Sequence, residues 1–220
     1  MKLGFYITLA LFLFLVLLHL TFCFFEMEKA RMISKPFLMS VLSVCLFFCF
    51  PAYPLVSLSC FLCMIGDIFM LFKHRMPSFF MGAVVFACSH LLNFVQVTRC
   101  LFSPLPWYLY LSFSLLFLLM LFSGYFLTGK TRYGMLQYGF AFFHVLMLFS
   151  SVFLFMEGKN LYAVGILLGY LFCIFSDLFL DYTTHKKDIR RRDFYIMATY
   201  LLGEVLIFFT IGSLSVFVLG

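Results

Sequence analysis

Two aspartates, Asp67 in Cys63-Met-Ile-Gly-Asp-Ile-Phe-Met70 and Asp177 in Cys173-Ile-Phe-Ser-Asp-Leu-Phe-Leu180, lie 110 residues apart in near-identical apolar settings. A carboxylate at the centre of a bilayer costs at least ~2.5 kcal/mol, so such residues face a bundle interior and mark a reaction site or transport path. Two further acids, Asp181 and Glu204, fall in comparable apolar stretches, together with His19, His90 and His144. Lys35 is the one basic residue placed to join them, and no Arg does. Four acids facing one lysine cannot all be ionised together, and the expected outcome is one protonated acid beside one carboxylate held by Lys35 or His90. That is the equipment of general acid and general base catalysis. The plainer reading of Asp67 and Asp177 is a hydrogen-bonded network that holds helices together. For Asp181, His19 and His144 the structural reading is preferred.

These residues must be positioned by membrane helices. With 65% of residues hydrophobic and 11% charged, the apolar runs leave no stretch polar enough for a separate soluble domain. Hydropathy and boundary charges predict an all-α polytopic bundle of eight helices in one integral membrane domain, at 3–25, 33–50, 54–72, 78–97, 104–127, 134–155, 161–182 and 194–219. The first run follows Lys2, as a signal peptide would. It is too long for one and ends at Glu26 without a small-residue cleavage site, so it reads as a helix.

Twelve of the fifteen Lys and Arg residues lie in the loops after helices one, three, five and seven. The positive-inside rule puts those loops in the cytosol and both termini on the other side. The net charge of +6 is thus a topology signal, and bases divided among short juxtamembrane loops exclude a nucleic-acid partner. Bilayer lipids are the expected surroundings, and the basic run at 185–192 is suited to anionic headgroups. The eight cysteines lie mostly within spans and show no metal-ligand spacing. The lone CxxC at Cys60 and Cys63 reads as packing, and Gly165 and Gly169 as a place of close helix approach.

Sliding the chain by 110 residues aligns Cys63 with Cys173, Phe69 with Phe179, Ser89 with Thr199, His90 with Tyr200 and Leu91-Leu92 with Leu201-Leu202. The offset is half the chain, which points to a parallel 4+4 internal repeat, although chance matches between apolar segments remain the alternative. Depth gives a separate reason for convergence. At about 1.5 Å per residue, Asp67 lies roughly 9 Å and Asp177 roughly 13 Å from the cytosolic boundary, with Tyr200 at a similar level. Asp177 and Asp181 share one helix face, and Tyr200 and Glu204 another.

The blocks Ser34-Lys-Pro-Phe-Leu-Met39, Gly66-Asp-Ile-Phe-Met70, Ser89-His90, Phe175-Ser-Asp-Leu178 and Ile196-Met-Ala-Thr-Tyr200 occur in an order and spacing that resembles the YhhN-like family of membrane proteins, which includes the lysoplasmalogenases. The resemblance implies an eight-helix hydrolase that opens the vinyl ether of a lysophospholipid, releasing a fatty aldehyde and glycerophospho-ethanolamine or glycerophospho-choline. It implies Asp67 and Asp177 as the catalytic pair, with Lys35, His90, Ser176, Asp181, Tyr200 and Glu204 supporting or orienting substrate. No metal or cofactor is required by such a reaction. Glu204 stands where relatives often carry glutamine, and Asn93 where tyrosine is common. A membrane of the bacterial cytoplasm or of the endoplasmic reticulum suits this activity, and the sequence leaves oligomeric state open. Two rival readings are a metal-dependent lipid amidase using His90, His19 and the aspartates, and a proton-coupled transporter. The transporter would call for Gly or Pro breaks in matching helices, which are not evident near either aspartate.

Overall fold

In a bilayer every backbone N–H and C=O must be paired within the protein, and for a chain this apolar the helix is the local solution. The computed structural model describes residues 2–72, 76–102, 105–127, 132–185 and 189–220, without the side chains of residues 76, 124, 125, 127, 132–137, 140, 181, 184 and 185. Eight helices run through it: α1 (Lys2–Phe24), α2 (Glu28–Cys49), α3 (Pro54–Leu71), α4 (Met76–Arg99), α5 (Trp107–Leu127), α6 (Arg132–Met156), α7 (Asn160–His185) and α8 (Arg192–Leu219). No strand occurs among the described residues. Six of the helices are long and apolar enough to cross a membrane, and shorter apolar stretches occupy Trp107–Ser123 and Ala141–Met156.

The helix edges differ from the hydropathy reading for a physical reason. α2 begins at Glu28 rather than residue 33, because the polar turn Glu28-Lys29-Ala30-Arg31 is too hydrophilic for lipid yet continues the helix into the interface. α5 starts at Trp107, and Pro104, the edge read from sequence, lies outside the described residues. Pro54 opens α3 at a position where its missing N–H costs nothing. Pro36, by contrast, sits inside α2 directly after Lys35. There it removes one intrahelical hydrogen bond.

Within each half, consecutive helices pack side by side: α1 on α2, α2 on α3, α3 on α4, and likewise from α5 to α8. The halves meet where α4 lies against α6 and where α8 lies against α1, α3 and α4. Among the described residues the backbone of α5 approaches only α6, and that of α7 only α6 and α8, while side chains of α4 still reach α7 at Tyr170. α8 is the most enclosed helix, contributing Ile207, Phe208, Ile211 and Leu214 to a core shared with Leu38, Leu42 and Leu46 of α2 and with Ile166 and Tyr170 of α7. Outward-facing residues such as Phe14, Leu17, Phe47, Leu119 and Leu178 are exposed apolar side chains suited to lipid.

The contact between α7 and α8 depends on absent side chains. A Cβ at Gly203 would lie 2.6 Å from Cys173 Sγ and 2.8 Å from the Gly169 carbonyl. One at Gly165 would lie 2.5 Å from Thr210 Oγ1, so the small residues of α7 serve the close approach expected of them. At one end of the bundle Arg31 pairs with Asp193, while the Arg191 N–H donates to Glu26 Oε1 at 3.1 Å. Elsewhere, buried Lys159 donates to Glu157 Oε2 at 2.6 Å and to the Cys100 carbonyl at 2.5 Å, and lies 3.7 Å over the Phe102 ring.

Candidate active site

α2 and α8 bring two side chains to the first aspartate, which α3 carries. Lys35 Nζ lies 2.9 Å from Asp67 Oδ1, and the Tyr200 hydroxyl donates to Asp67 Oδ2 at 3.3 Å. The Asp67 side chain is 4% exposed and that of Lys35 21%. Both carboxylate oxygens are therefore held by donors, one of them a cation.

The second aspartate is placed differently. His144 Nε2 of α6 stands 3.6 Å from Asp177 Oδ2, and the Asp177 side chain is 48% exposed although it interacts electrostatically with both Lys35 and Glu204. Glu204 of α8 is itself buried and within electrostatic reach of both aspartates. Among the described residues no group lies within hydrogen-bond distance of its carboxylate.

A neutral hydrogen-bonded network adjoins the acids. The Ser89 hydroxyl donates to the Ser59 carbonyl at 2.9 Å, and the Ser59 hydroxyl donates to Asn93 Oδ1 at 2.8 Å. With its oxygen thus occupied, the Asn93 amide nitrogen donates to the Tyr170 hydroxyl oxygen at 3.4 Å. Tyr170 is left with its own proton to donate, and His90 Nδ1 lies 3.2 Å away. The His90 and His144 rings follow, with centroids 5.0 Å apart. Asn93, Tyr170, His90, His144 and Asp177 thus form one continuous series across α4, α6 and α7.

The residues singled out in the sequence are sorted by this geometry. Lys35, Asp67 and Tyr200 form one cluster, and Asp177 and Glu204 share its electrostatic field. His90 stands on the Asp177 side, one ring removed. Ser176 donates its proton to the Ile196 carbonyl at 3.0 Å and fastens α7 to α8. The side chain of Asp181 lies outside the described residues. His19 pairs with Ser34 Oγ at 2.7 Å and Cys23 at 3.5 Å, which ties α1 to α2. All eight cysteines are free, Cys63 meeting Ser89 Oγ at 3.1 Å and Cys60 the Met39 carbonyl at 3.5 Å.

His144 is the residue that sequence reasoning passed over. A single histidine in an apolar helix looks like packing, yet the 110-residue offset sets Ser34-Lys35 opposite His144-Val145 and held the clue. Tyr170 had no such marker, being one aromatic among many. No three His, Cys, Asp or Glu side chains gather among the described residues as a metal ion would need.

A family model described as the YhhN family matches residues 30–211. No curated protein and no solved structure matches the chain.

Proposed function

The chain belongs to the YhhN family, and from that premise we propose that it is a lysoplasmalogenase-like hydrolase acting on the vinyl ether bond of lysoplasmenyl-ethanolamine or lysoplasmenyl-choline. The observation that supports this reading is the inequality of the two aspartates. Asp67 has a lysine on one oxygen and a tyrosine on the other, the setting of a stable carboxylate. Asp177 pairs with His144 rather than with a lysine among the described residues and is half-exposed, the setting of an acid that keeps a proton until substrate arrives.

A vinyl ether needs these two states at once. Neutral Asp177 gives its proton to the β-carbon, and an oxocarbenium ion forms while Asp177 becomes a carboxylate. Water adds to the cation as its proton passes to Asp67, giving a hemiacetal. The hemiacetal then collapses: Asp177 takes the hydroxyl proton, protonated Asp67 returns its proton to the departing ether oxygen, and aldehyde and alcohol leave. Both acids end as they began. The division of labour is that of the paired carboxylates in glycoside hydrolysis. Lys35 keeps Asp67 anionic at the outset, and its partial exposure lets it meet the substrate phosphate as well.

Purified protein incubated with lysoplasmenyl-ethanolamine should release fatty aldehyde, and Asp67→Asn and Asp177→Asn should each lose activity by about 10²-fold or more. Unchanged release in both variants would defeat the mechanism, and none from the wild type would defeat the substrate. The transporter reading finds no support in α2 and α6, since Pro36 interrupts α2 and no proline interrupts the matching α6.

A further inference from the structure

We infer that His144 is a positioning residue for Asp177, packed at the end of a directed series of donors that reaches His90, and that it fixes which carboxyl oxygen carries the transferable proton. This rests on the hydrolase reading above. The direction of the series comes from its far end. Ser59 holds the Asn93 oxygen, so the amide N–H points to Tyr170, and Tyr170 in turn gives its proton to His90 Nδ1. An imidazole that accepts at Nδ1 keeps its hydrogen on Nε2. The His144 ring is the next group, nearly perpendicular to Tyr170 with centroids 5.9 Å apart and tilted against His90 at 5.0 Å.

His144 then presents Nε2 to Asp177 Oδ2. The 3.6 Å separation is about 0.4 Å beyond the ~3.2 Å reach of a hydrogen bond, a gap that closes in many enzymes only when substrate binds. As a donor to Oδ2, His144 leaves the carboxyl proton on Oδ1, the oxygen it does not face. When Asp177 gives that proton up, the N–H is already aimed at the new charge, so little must reorganise. The groups that face His144 from neighbouring helices include His90 on α4 and Tyr170 and Asp177 on α7. Lys35 and Glu204 act on Asp177 from a greater distance.

The test uses the full chain in detergent or proteoliposomes. His144→Leu, which fills the space without a donor, should lower kcat by about 100-fold with KM within a few-fold. His144→Gln, which keeps an N–H at similar reach, should recover at least a tenth of wild-type kcat. Tyr170→Phe, remote from Asp177, should lower kcat several-fold in the wild-type background and have no further effect in His144→Leu. Wild-type activity in His144→Leu, or equal and independent losses from Tyr170→Phe in both backgrounds, would overturn the inference. Infrared spectroscopy supplies a readout independent of turnover: the carboxyl band identified by its absence in Asp177→Asn should shift in His144→Leu. If the wild type releases no aldehyde the hydrolase reading fails, and that band alone then decides whether His144 engages Asp177. An unshifted band would overturn the inference whatever the activity.

Discussion

Lys35 and His144 occupy comparable places in the two halves of the chain, one residue out of step by the 110-residue offset, which pairs His144 with Ser34. Each sits on the second helix of its half and faces the aspartate of the third, at 2.9 Å from Asp67 and 3.6 Å from Asp177. The correspondence extends one residue further. Tyr200, which bonds Asp67, is matched by the 110-residue offset to His90, which stands behind His144 on the other aspartate. The partners differ in kind, a permanent cation beside one and a group that can be neutral beside the other, and on the proposed function that difference divides the labour between the acids.

Removal of the permanent cation should be costly because Asp67 is buried. Lys35→Met leaves an uncompensated carboxylate and should destabilise the fold by about 3–5 kcal/mol. Asp67→Asn introduced on top should restore much of that stability and no activity. Thermal unfolding of the single and double variants in one detergent checks this, and additive losses would show that the pair is not a unit.

Tyr200 touches the aspartate through one hydroxyl. Tyr200→Phe should fold normally and lower kcat by about tenfold, which corresponds to about 1.4 kcal/mol of lost stabilisation. Steady-state kinetics on aldehyde release would settle the size of the effect, and an unaltered kcat would remove Tyr200 from the site.

Glu204 has no hydrogen-bond partner among the described residues, so an amide fits the same space without leaving a broken bond behind. Glu204→Gln should keep the fold and hold kcat within about tenfold of wild type. A loss matching that of Asp177→Asn would instead make Glu204 a third working acid.

At Gly203 even a methyl group has nowhere to go. Gly203→Ala would push a Cβ to 2.8 Å from the Gly169 carbonyl, an atom that cannot rotate away, and should destabilise by about 1–3 kcal/mol. Gly4→Ala is the control, since there the Cβ meets only a Phe48 ring at 3.2 Å, a side chain able to shift. Equal melting temperatures for the two variants would contradict the close packing of α7 on α8.

Much of this arrangement was legible in the sequence. Lipid leaves one secondary structure for an apolar chain, so all eight helices could be read, with errors only where polar turns prolong a helix beyond the hydrocarbon, as at Glu28. The aspartates, Lys35 and Tyr200 stood out because charge or position is conspicuous in such a background. His144 and Tyr170 did not, because their roles are set by what the neighbouring helix places opposite them. Ser176 shows the converse, being adjacent to Asp177 in sequence while its hydroxyl is bonded to the α8 backbone, a partner that sequence order does not reveal.

The half-exposed carboxylate of Asp177 sits on a helix whose neighbouring side chains, Phe175 and Leu178, are themselves exposed and apolar. On the proposed function, a site reached past such residues would meet its substrate as a solute of the membrane. Its rate should therefore follow the mole fraction of substrate among the lipids, and adding inert lipid or detergent at constant bulk concentration should slow turnover by surface dilution.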